Sequence, residues 1–471
     1  MPTRAELPRT CQDSNSWTDA LPVCRLSGIG YSTNQIYRED GHRLEEHPFE
    51  DTSFHWQLDD NTYLYGVFDG HEGIQTASFA SQTMPVEITF GQLSDKQTDE
   101  EIRDVLRQAF IAVEKSYFLT IGDKLAERTC VKCEIPEGLT SYEAYQKYPH
   151  LVDKLKRLNG ELSSGTTAVI ALIRNNRLFV ANVGDSRALL CRTDENGVMK
   201  VLQLSSDHDL SNEDELLRLY NLGLEKLTQG SRLGNQDNTR CLGNYLVKGE
   251  YKDFEELACA TSEPIIAEPE ISGGIELDQS CRFLMLMSDG LYKSLEEHGI
   301  PEDQVNIEIA RLTVNEFRMQ STLTGVAQAV VDRVVRMHHD IYMRGITASQ
   351  QDCNTAVQIG RDDITLLVRN FNHPLPNALA SPTINVRFNP NPIIKTIPPC
   401  ESSASDPETT RSTNSGIDNT NTTSTSEDNS DNSNVERVER IPAYVDFTEF
   451  FQNVEQARRE GNLPPGIDFG F

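Results

Sequence analysis

The chain has 471 residues and a formal net charge of −29 at pH 7. A chain this acidic is unsuited to non-specific binding of nucleic acid or anionic membranes, because phosphate contacts need clustered Lys and Arg. Its length fits one mixed α/β domain with a disordered tail as well as it fits two domains. It has no run of about eighteen apolar residues, and residues 1–10 lack the apolar stretch of a signal peptide, so we expect a soluble, cytoplasmic protein without membrane insertion.

The ten cysteines are scattered along the chain, and several stand in apolar surroundings, which fits reduced, buried thiols. Cys130 and Cys133 form the single C-x-x-C pair, and no second pair at zinc-site spacing accompanies them. We therefore favour a plain helix or loop position for this pair over a metal or redox role.

The first strong strand prediction falls on residues 62–68, which are rich in β-branched and aromatic side chains. The motif Asp69-Gly70-His71-Glu72-Gly73 follows directly, so Asp69 lies where a buried strand meets a glycine-rich turn. A carboxylate there can point into a cleft, and His71 adds a proton that is mobile near neutral pH. Taken alone, the motif is more often an ordinary Asp-Gly turn between two strands.

Helices and strands follow in turn. Residues 74–125 have the apolar spacing of two helices packed on a sheet. Residues 128–159 are polar and interrupted by Pro and Gly, which indicates an insertion that ends in a helix near 151–158. The runs 166–173 and 177–183, separated by Asn175-Asn176, predict a hairpin that leads into Gly184-Asp185-Ser186-Arg187.

Acidic residues recur beside strands in the second half of the chain. Asp289 follows a strand predicted at 282–287, and Asp362 precedes one predicted at 364–368. Together with Asp69, three separate strands therefore begin or end in a carboxylate. The remaining predictions are strands at 188–192 and 201–204, and helices at 212–224, 307–317 and 323–337.

Carboxylates at several strand ends are what a two-metal hydrolase site requires. Mg²⁺ and Mn²⁺ prefer oxygen ligands contributed by different parts of the chain. A water held between two such ions is activated for in-line attack on phosphorus. Because the sequence does not show that the carboxylates converge, the residues by themselves predict a candidate metal site and no more.

Six motifs resemble, in the same order, those of the metal-dependent type 2C serine/threonine phosphatases. The resemblance covers residues 24–372 and implies an α+β fold, an α-β-β-α sandwich of two antiparallel sheets flanked by helices. It also implies two bound ions, Mg²⁺ or Mn²⁺. The motifs are Val67-Phe68-Asp69-Gly70-His71-Glu72-Gly73, Asn182-Val183-Gly184-Asp185-Ser186-Arg187, Asp207-His208, Ala267-Glu268-Pro269-Glu270, Ser288-Asp289-Gly290-Leu291 and Asp362-Asp363-Ile364-Thr365.

The resemblance also implies roles for individual residues. Glu39 and Asp40 resemble the acidic pair that orients metal-bound water. His71 resembles the general acid that protonates the departing serine or threonine oxygen. The implied metal ligands are Asp69, which bridges the ions, the carbonyl of Gly70 for one ion, and Asp289 and Asp362 for the other.

Other motif residues are open to two interpretations. Asp185 matches a position near the cleft, and a structural role in its turn is equally consistent with the sequence. For Asp207 and His208 we favour a structural role, in which the two buried side chains satisfy each other.

Three positions depart from the pattern of active phosphatases. Gln35 stands where an Arg holds the substrate phosphate, and a neutral amide cannot supply that charge. Arg38 is close in sequence, but its offset along an extended strand sends it to the opposite face. Lys293 stands where an acid is usual, and Asn244 replaces an Asp. Metal binding is therefore expected to be preserved and phosphate binding to be impaired.

A second resemblance is to the phosphatase-like adaptors that bind and activate the TGF-beta-activated kinase, a MAP kinase kinase kinase. Such adaptors have the type 2C fold without phosphatase activity, and they end in a kinase-binding segment behind a polar linker. The segments that carry this resemblance are Ser16-Trp17-Thr18-Asp19, Glu213-Asp214-Glu215-Leu216, Lys293-Ser294-Leu295-Glu296, the helical sequence from Val326 to Val334, and Thr365-Leu366-Leu367-Val368-Arg369-Asn370-Phe371.

The tail of this chain has the same two parts. Residues 377–440 are rich in Ser, Thr, Asn and Pro and cannot bury enough apolar surface to fold. Aromatic residues then return at helical spacing on one face, which suits helix-in-groove recognition by a kinase catalytic domain or docking on the chain's own domain. We favour the kinase because of the resemblance. The implied contact residues are Tyr444, Val445, Phe447, Phe450, Phe451 and Val454.

Two functions therefore follow from the sequence. One is a kinase-binding signalling adaptor with a weak or inactive phosphatase-like domain, and the other is a working Mg²⁺- or Mn²⁺-dependent protein phosphatase. Gln35 and the tail favour the adaptor. The predicted organisation is an extension at 1–23, the phosphatase-like domain at 24–372, a disordered linker at 373–440 and a kinase-binding segment at 441–471.

Overall fold

The computed structural model describes residues 21–37, 43–89, 93, 96–136, 138–228, 230–349 and 360–375. Most of the predicted domain at 24–372 is thus described. The predicted water-orienting pair Glu39 and Asp40 lies outside the described residues, and so do Arg38 and the whole predicted kinase-binding segment at 441–471.

The described elements begin with strands and then mix both types. The strands are β1 (Ser27–Ser32), β2 (Gln35–Tyr37), β3 (Arg43–Leu44), β4 (Thr52–Gln57), β5 (Thr62–Phe68), β6 (Gly70–His71), β7 (Gly165–Thr166), β8 (Ala168–Arg174), β9 (Arg177–Val183), β10 (Arg187–Thr193), β11 (Met199–Gln203), β12 (Leu242–Gly243), β13 (Glu270–Glu276), β14 (Cys281–Met287), β15 (Gly360–Arg361) and β16 (Ile364–Asn370). The helices are α1 (Gln75–Thr89), α2 (Asp99–Thr120), α3 (Gly122–Glu134), α4 (Ser141–Lys147), α5 (Pro149–Ser163), α6 (Glu213–Asn221), α7 (Tyr245–Gly249), α8 (Asp289–Glu297), α9 (Glu302–Met319) and α10 (Leu323–Ser349). Among these helices, none combines the length and apolar character that crossing a membrane requires.

Two five-stranded antiparallel sheets form the centre of the molecule. One has the strand order β1-β16-β14-β10-β11 and the other the order β13-β9-β8-β5-β4. Two small three-stranded sheets, β12-β7-β6 and β15-β2-β3, carry site residues, because β6 contains Gly70 and His71 and β2 contains Gln35. The antiparallel α+β architecture predicted from the sequence is confirmed.

The apolar core has three layers, which follow from the alternation of side chains along each strand. On β14, Phe283, Met285 and Met287 face the layer shared with α8, α9 and α10. The intervening Leu284 and Leu286 face the layer between the two large sheets. A third layer packs α1 and α2 on the other sheet. Both faces of each sheet are therefore buried, which explains why the strands are almost continuously apolar.

The outer helix α10 approaches β1 very closely. A Cβ added at Gly30 would lie 2.4 Å from the backbone nitrogen of Gln328 and 2.5 Å from the carbonyl carbon of Ala327. Backbone atoms cannot move aside as a flexible side chain can, so Gly at this position sets the distance between the helix and the sheet.

The hairpin of β8 and β9 was predicted correctly. Its turn residues, Asn175 and Asn176, have φ angles of 49° and 64°. Two consecutive residues with positive φ form the tight turn that matches the twist of antiparallel strands, and Asn tolerates this conformation.

The polar segment at 128–159 contains more helix than the sequence predicted. The helix expected near 151–158 is present as α5, but α3 reaches Glu134 and α4 spans Ser141–Lys147. Thr140 and Glu143 form a reciprocal capping box at the start of α4. Pro149, which was read as an interruption of the polar segment, is the first residue of α5, where its missing N–H is harmless.

Candidate functional site

Three carboxylates from both large sheets meet in one cleft. Asp69 follows β5, Asp289 is the first residue of α8 directly after β14, and Asp362 precedes β16. The backbone N–H of Asp289 donates a hydrogen bond to Asp69 Oδ2 at 3.3 Å, which links the ends of the two sheets. The three carboxylates that the sequence places at strand ends therefore lie close together in the folded protein.

The backbone around Asp69 is held by the neighbouring strand ends. Its carbonyl accepts hydrogen bonds from the Thr167 N–H and the Thr166 hydroxyl, both at 2.9 Å. A Cβ at Gly70 would lie 2.6 Å from the carbonyl oxygen of Glu50, so only Gly fits there. Gly73 has a φ of +113°, which lets the turn reverse after the motif.

The carboxylates raise one another's pKa. Burial, together with the negative charges of Asp289, Asp51 and Asp362, raises the pKa of Asp69 well above its ordinary value. Burial raises the pKa of Asp289 to about 6, against the lowering effect of Lys293. Buried like charges of this kind are stable in ionised form only beside a cation.

Lys293 supplies a cation on one side of the cleft. Its ammonium lies 2.9 Å from Asp185 Oδ2 and also forms a short ion pair with Asp289. Asp185 is further held at its other oxygen by the Asn238 amide at 3.1 Å. Burial would raise the pKa of Asp185, but Lys293 and Asn238 bring it below its ordinary value. Asp185 therefore contacts the cleft and is more than a turn residue.

Asp362 and Asp363 have different surroundings. The exposed Asp362 belongs to the one group of described His, Cys, Asp and Glu side chains whose ligand atoms all lie within 4.8 Å of one another, together with His47 and Asp363. Asp363 is buried, and its two oxygens accept hydrogen bonds from the backbone N–H groups of Asn34 at 2.6 Å and Glu50 at 2.8 Å. These bonds give Asp363 a structural role, while Asp362 is open to the cleft.

Asp51 forms an acidic cluster with Asp69, Asp289 and Asp362. The sequence analysis did not identify Asp51 as a member of this cluster. It is 3% exposed, and neither of its carboxylate oxygens has a hydrogen-bond partner. Its position just before β4 repeats the pattern of Asp362 before β16, so the same strand-end rule could have found it. Unpartnered, buried carboxylate oxygens are hard donors of the kind that Mg²⁺ and Mn²⁺ bind, and the cluster fits such an ion.

His71 is poorly suited to donating a proton at neutral pH in this environment. Burial lowers its pKa to about 4, with the charge of Asp185 acting in the opposite direction. Its Nε2 lies 3.3 Å from the amide nitrogen of Asn244, which can only donate. Gly165 leaves room for the imidazole, because a Cβ there would lie 2.3 Å from Nε2. Burial therefore favours the neutral form of the ring.

Gln35 lies on β2 and carries no charge. It pairs in register with Arg361, the residue before Asp362. Arg361 itself is 5% exposed. Its guanidinium donates hydrogen bonds to the Asp362 carbonyl at 2.8 Å and to the Ser32 hydroxyl at 3.1 Å, and it is therefore engaged by neighbouring parts of the chain.

Asp207 and His208 are structural, as predicted, but they do not satisfy each other. Asp207 Oδ2 accepts two hydrogen bonds from Arg187, at 3.0 and 2.7 Å. His208 Nδ1 lies 3.2 Å from the Gly184 carbonyl, and its Nε2 lies 3.5 Å from Glu270. The Arg at the end of the Gly-Asp-Ser-Arg motif is the partner that was missed.

Cys130 and Cys133 are exposed, unbridged residues of α3. They do not belong to the metal-type group of His47, Asp362 and Asp363 found among the described residues.

Comparison with known proteins gives one family and two kinds of relative. The profile of the family described as Protein phosphatase 2C matches residues 29–339. The chain is 27% identical over 308 residues to TGF-beta-activated kinase 1 and MAP3K7-binding protein 1 of Caenorhabditis elegans, covering 64% of this chain and 70% of that protein. It is 31% identical over 252 residues to Probable protein phosphatase 2C 4 of Paramecium tetraurelia, covering 53% of this chain and 70% of that protein.

Proposed function

The chain belongs to the protein phosphatase 2C family, and within it we propose that this protein is a signalling adaptor that binds a MAP kinase kinase kinase and promotes its activation. Its phosphatase-like domain, proposed to span 24–372, has little or no hydrolytic activity in this proposal. The observation that carries the proposal is the ion pairing of Lys293 with Asp185 and Asp289, inside the acidic cluster that a metal-dependent phosphatase needs for its ions.

The neutral side chain at position 35 supports the same proposal. Substrate phosphate requires a cationic group, and bidentate Arg is best suited to it. Gln35 is neutral, and Arg361 beside it is occupied by backbone and loop acceptors. His71, neutral at pH 7, does not offer the proton that a departing alkoxide needs.

Members of this family depend on Mg²⁺ or Mn²⁺, and the cluster of His47, Asp362 and Asp363 is a candidate site for such an ion. We propose Asp69 and the Gly70 carbonyl as further donors beside Asp362, with Asp289 shared with Lys293. When bound, the ions of such a site activate water for attack on phosphorus. The described residues Gln35 and Arg361 do not complete the phosphate site that would use this water.

We propose a kinase as the partner because one relative of this chain is named as a kinase-binding protein. We propose that the catalytic domain of a TGF-beta-activated kinase binds Tyr444, Val445, Phe447, Phe450, Phe451 and Val454, behind a disordered linker. The linker predicted at 373–440 begins later than predicted, because Leu375 is buried in the core of the domain. The support is the spacing of these apolar residues on one helical face in the sequence.

The adaptor proposal is tested with the full-length chain and the isolated kinase catalytic domain. Phe450→Ala with Phe451→Ala removes two aromatic contacts, and we expect binding by calorimetry to weaken by about 100-fold or more. The control is Gln452→Ala with Asn453→Ala, which changes the opposite side of the same predicted helix and should bind as the native chain does. The melting temperature of the folded domain should be the same in all three proteins.

Two results would reject the adaptor proposal in different ways. If the native chain does not bind the kinase, the partner is wrong. If the Phe double variant binds as tightly as the native chain, the tail does not form the contact.

An active phosphatase is the second candidate function. It is favoured by the convergence of Asp69 and Asp289 from the two sheets, and by relatives that are named as phosphatases. Hydrolysis at ordinary enzyme rates by the native chain would establish it.

A further inference from the structure

We infer that the ammonium of Lys293 is a built-in counter-ion, which takes the position of a divalent cation between Asp185 and Asp289. The cleft therefore holds one ion fewer than its carboxylates could bind. This inference concerns the ion content of the cleft and does not depend on kinase binding.

The geometry of α8 brings the ammonium to this place. Asp289 is the first residue of α8 and Lys293 is four residues later, so both side chains lie on one face of the helix. Lys293 reaches back to the Asp289 carboxylate and forms a short ion pair with it. This contact lies within α8 and needs no other element of the fold.

Asp185 completes the arrangement from the turn between β9 and β10. Its carboxylate is 7% exposed and is aimed at Lys293 by the Asn238 amide, while the Tyr292 hydroxyl donates to its backbone carbonyl at 3.1 Å. Two carboxylate oxygens from separate elements thus converge on one positive atom. This is the arrangement by which protein oxygens surround a hard cation.

Within the part of the chain that the structure describes, the other cationic side chains around the cleft have different partners. Arg187 is paired with Asp207 at 2.7 Å and stacks on Tyr292. His47 faces Glu50 at 3.8 Å and groups with Asp362 and Asp363, away from Asp185. Lys293 is therefore the side chain that offsets the charge of Asp185 and Asp289.

An ion and the ammonium cannot both occupy the space between these oxygens, because their charges repel at contact distance. Among the described residues, Lys293 forms its ion pairs with Asp185 and Asp289, so Asp69 and Asp362 stay available to a divalent ion. Removing the charge of Lys293 should consequently create an additional cation site, which Asp185 and Asp289 would form.

Calorimetric titration of the full-length chain with Mn²⁺ tests this inference. Lys293→Met keeps an unbranched side chain that is shorter by one atom, removes its charge and adds no oxygen ligand. We expect the variant to bind one more Mn²⁺ than the native chain, or to bind Mn²⁺ at least about tenfold more tightly. Lys293→Arg, which keeps the charge, and Lys115→Met, the same change at an exposed position of α2, should titrate as the native chain does.

Identical titrations of the native chain and Lys293→Met would overturn the inference. If Lys293→Met does not fold without an ion, the native chain provides a second measurement. Lys293 should react with an acetylating reagent at the same rate throughout a Mg²⁺ titration, as followed by mass spectrometry. A rate that rises several-fold on Mg²⁺ addition would show that the ion displaces the ammonium, and would also overturn the inference.

Discussion

Single charges decide what the cleft can bind. Burial and the neighbouring carboxylates of Asp289, Asp51 and Asp362 raise the pKa of Asp69, and this arrangement favours a cation. Gln35 offers no positive charge to a phosphate, and Lys293 offers its charge to Asp185 and Asp289 instead. In our proposal, the carboxylates that would hold metal ions are therefore retained, whereas the residues that would bind the substrate phosphate are altered.

Asp69 is the residue whose change should affect metal binding most. Asp69→Asn removes the charge of the most central carboxylate and keeps its shape, so Mn²⁺ binding measured by calorimetry should weaken by about tenfold or more. Asp153→Asn, the same change at an exposed position of α5, is the control and should leave binding unchanged. Equal Mn²⁺ binding by Asp69→Asn and the native chain would mean that the ions bind elsewhere.

The sequence could predict Asp69, Asp289 and Asp362 because each lies at the end of a strand with an obvious apolar pattern. It could not predict the partners of these residues. Asp185 and Lys293 are 108 positions apart, and their contact depends on how the turn after β9 faces α8. Arg187 and Asp207 likewise meet only after β10 has paired with β11.

The helix α6 shows how one element is fixed by a buried charge. Glu215, in its first turn, accepts hydrogen bonds from Arg240 at 2.6 Å and Arg218 at 2.8 Å, and from the Thr239 hydroxyl. Leu219 on the same helix belongs to a separate apolar cluster with Leu224 and Val247. The ionic network and the apolar cluster together hold α6 against the segment around Arg240.

Glu215→Gln should lower the free energy of unfolding at pH 7 by about 3 kcal/mol, as measured by urea denaturation. The reason is that the variant leaves two guanidinium groups next to a neutral amide in a place that is 2% exposed. Glu213→Gln changes a neighbouring, exposed acid of α6 and should alter stability by less than about 0.5 kcal/mol. Equal stability of the two variants would show that the network does not stabilise α6.

The same network gives a pH dependence with a defined sign. Burial would raise the pKa of Glu215, but Arg240 and Arg218 lower it from 4.5 to about 2. A lowered folded-state pKa contributes stability that is full above the unfolded value and is lost as pH falls through the folded value. The difference in stability between native chain and Glu215→Gln should therefore shrink between pH 4.5 and about 2. A difference that stays constant over this range would contradict the assignment.

Strands were easier to predict than short helices, for a physical reason. The buried strands are marked by apolar runs that burial on both faces requires. The helices α3 and α4 have few or no buried side chains, so their polar sequence looks like a loop, whereas the helix α5 was predicted near 151–158. Their signals are local, namely the capping box of Thr140 and Glu143 and the initial Pro149.

At the scale of the molecule, the two-sheet sandwich places strand ends from both sheets around one acidic cleft. The sandwich was predicted from the resemblance to the type 2C phosphatases, and the alternation of side chains along each strand explains the layers that the structure shows. The division into a domain at 24–372, a linker and a terminal segment remains a prediction, and so does the role of the tail. A phosphatase-like body that keeps its acidic cleft and a tail that binds a kinase would together make an adaptor.

The most direct test of this account is phosphate release from a phosphothreonine peptide at saturating Mn²⁺. The native chain is compared with Asp69→Asn and with the double variant Gln35→Arg and Lys293→Asp, which restores the phosphate-binding charge and removes the internal cation. The account predicts that the native chain releases phosphate no faster than Asp69→Asn, and that the double variant exceeds both. Turnover by the native chain at about 1 s⁻¹ or faster, lost in Asp69→Asn, would contradict it and establish a working phosphatase.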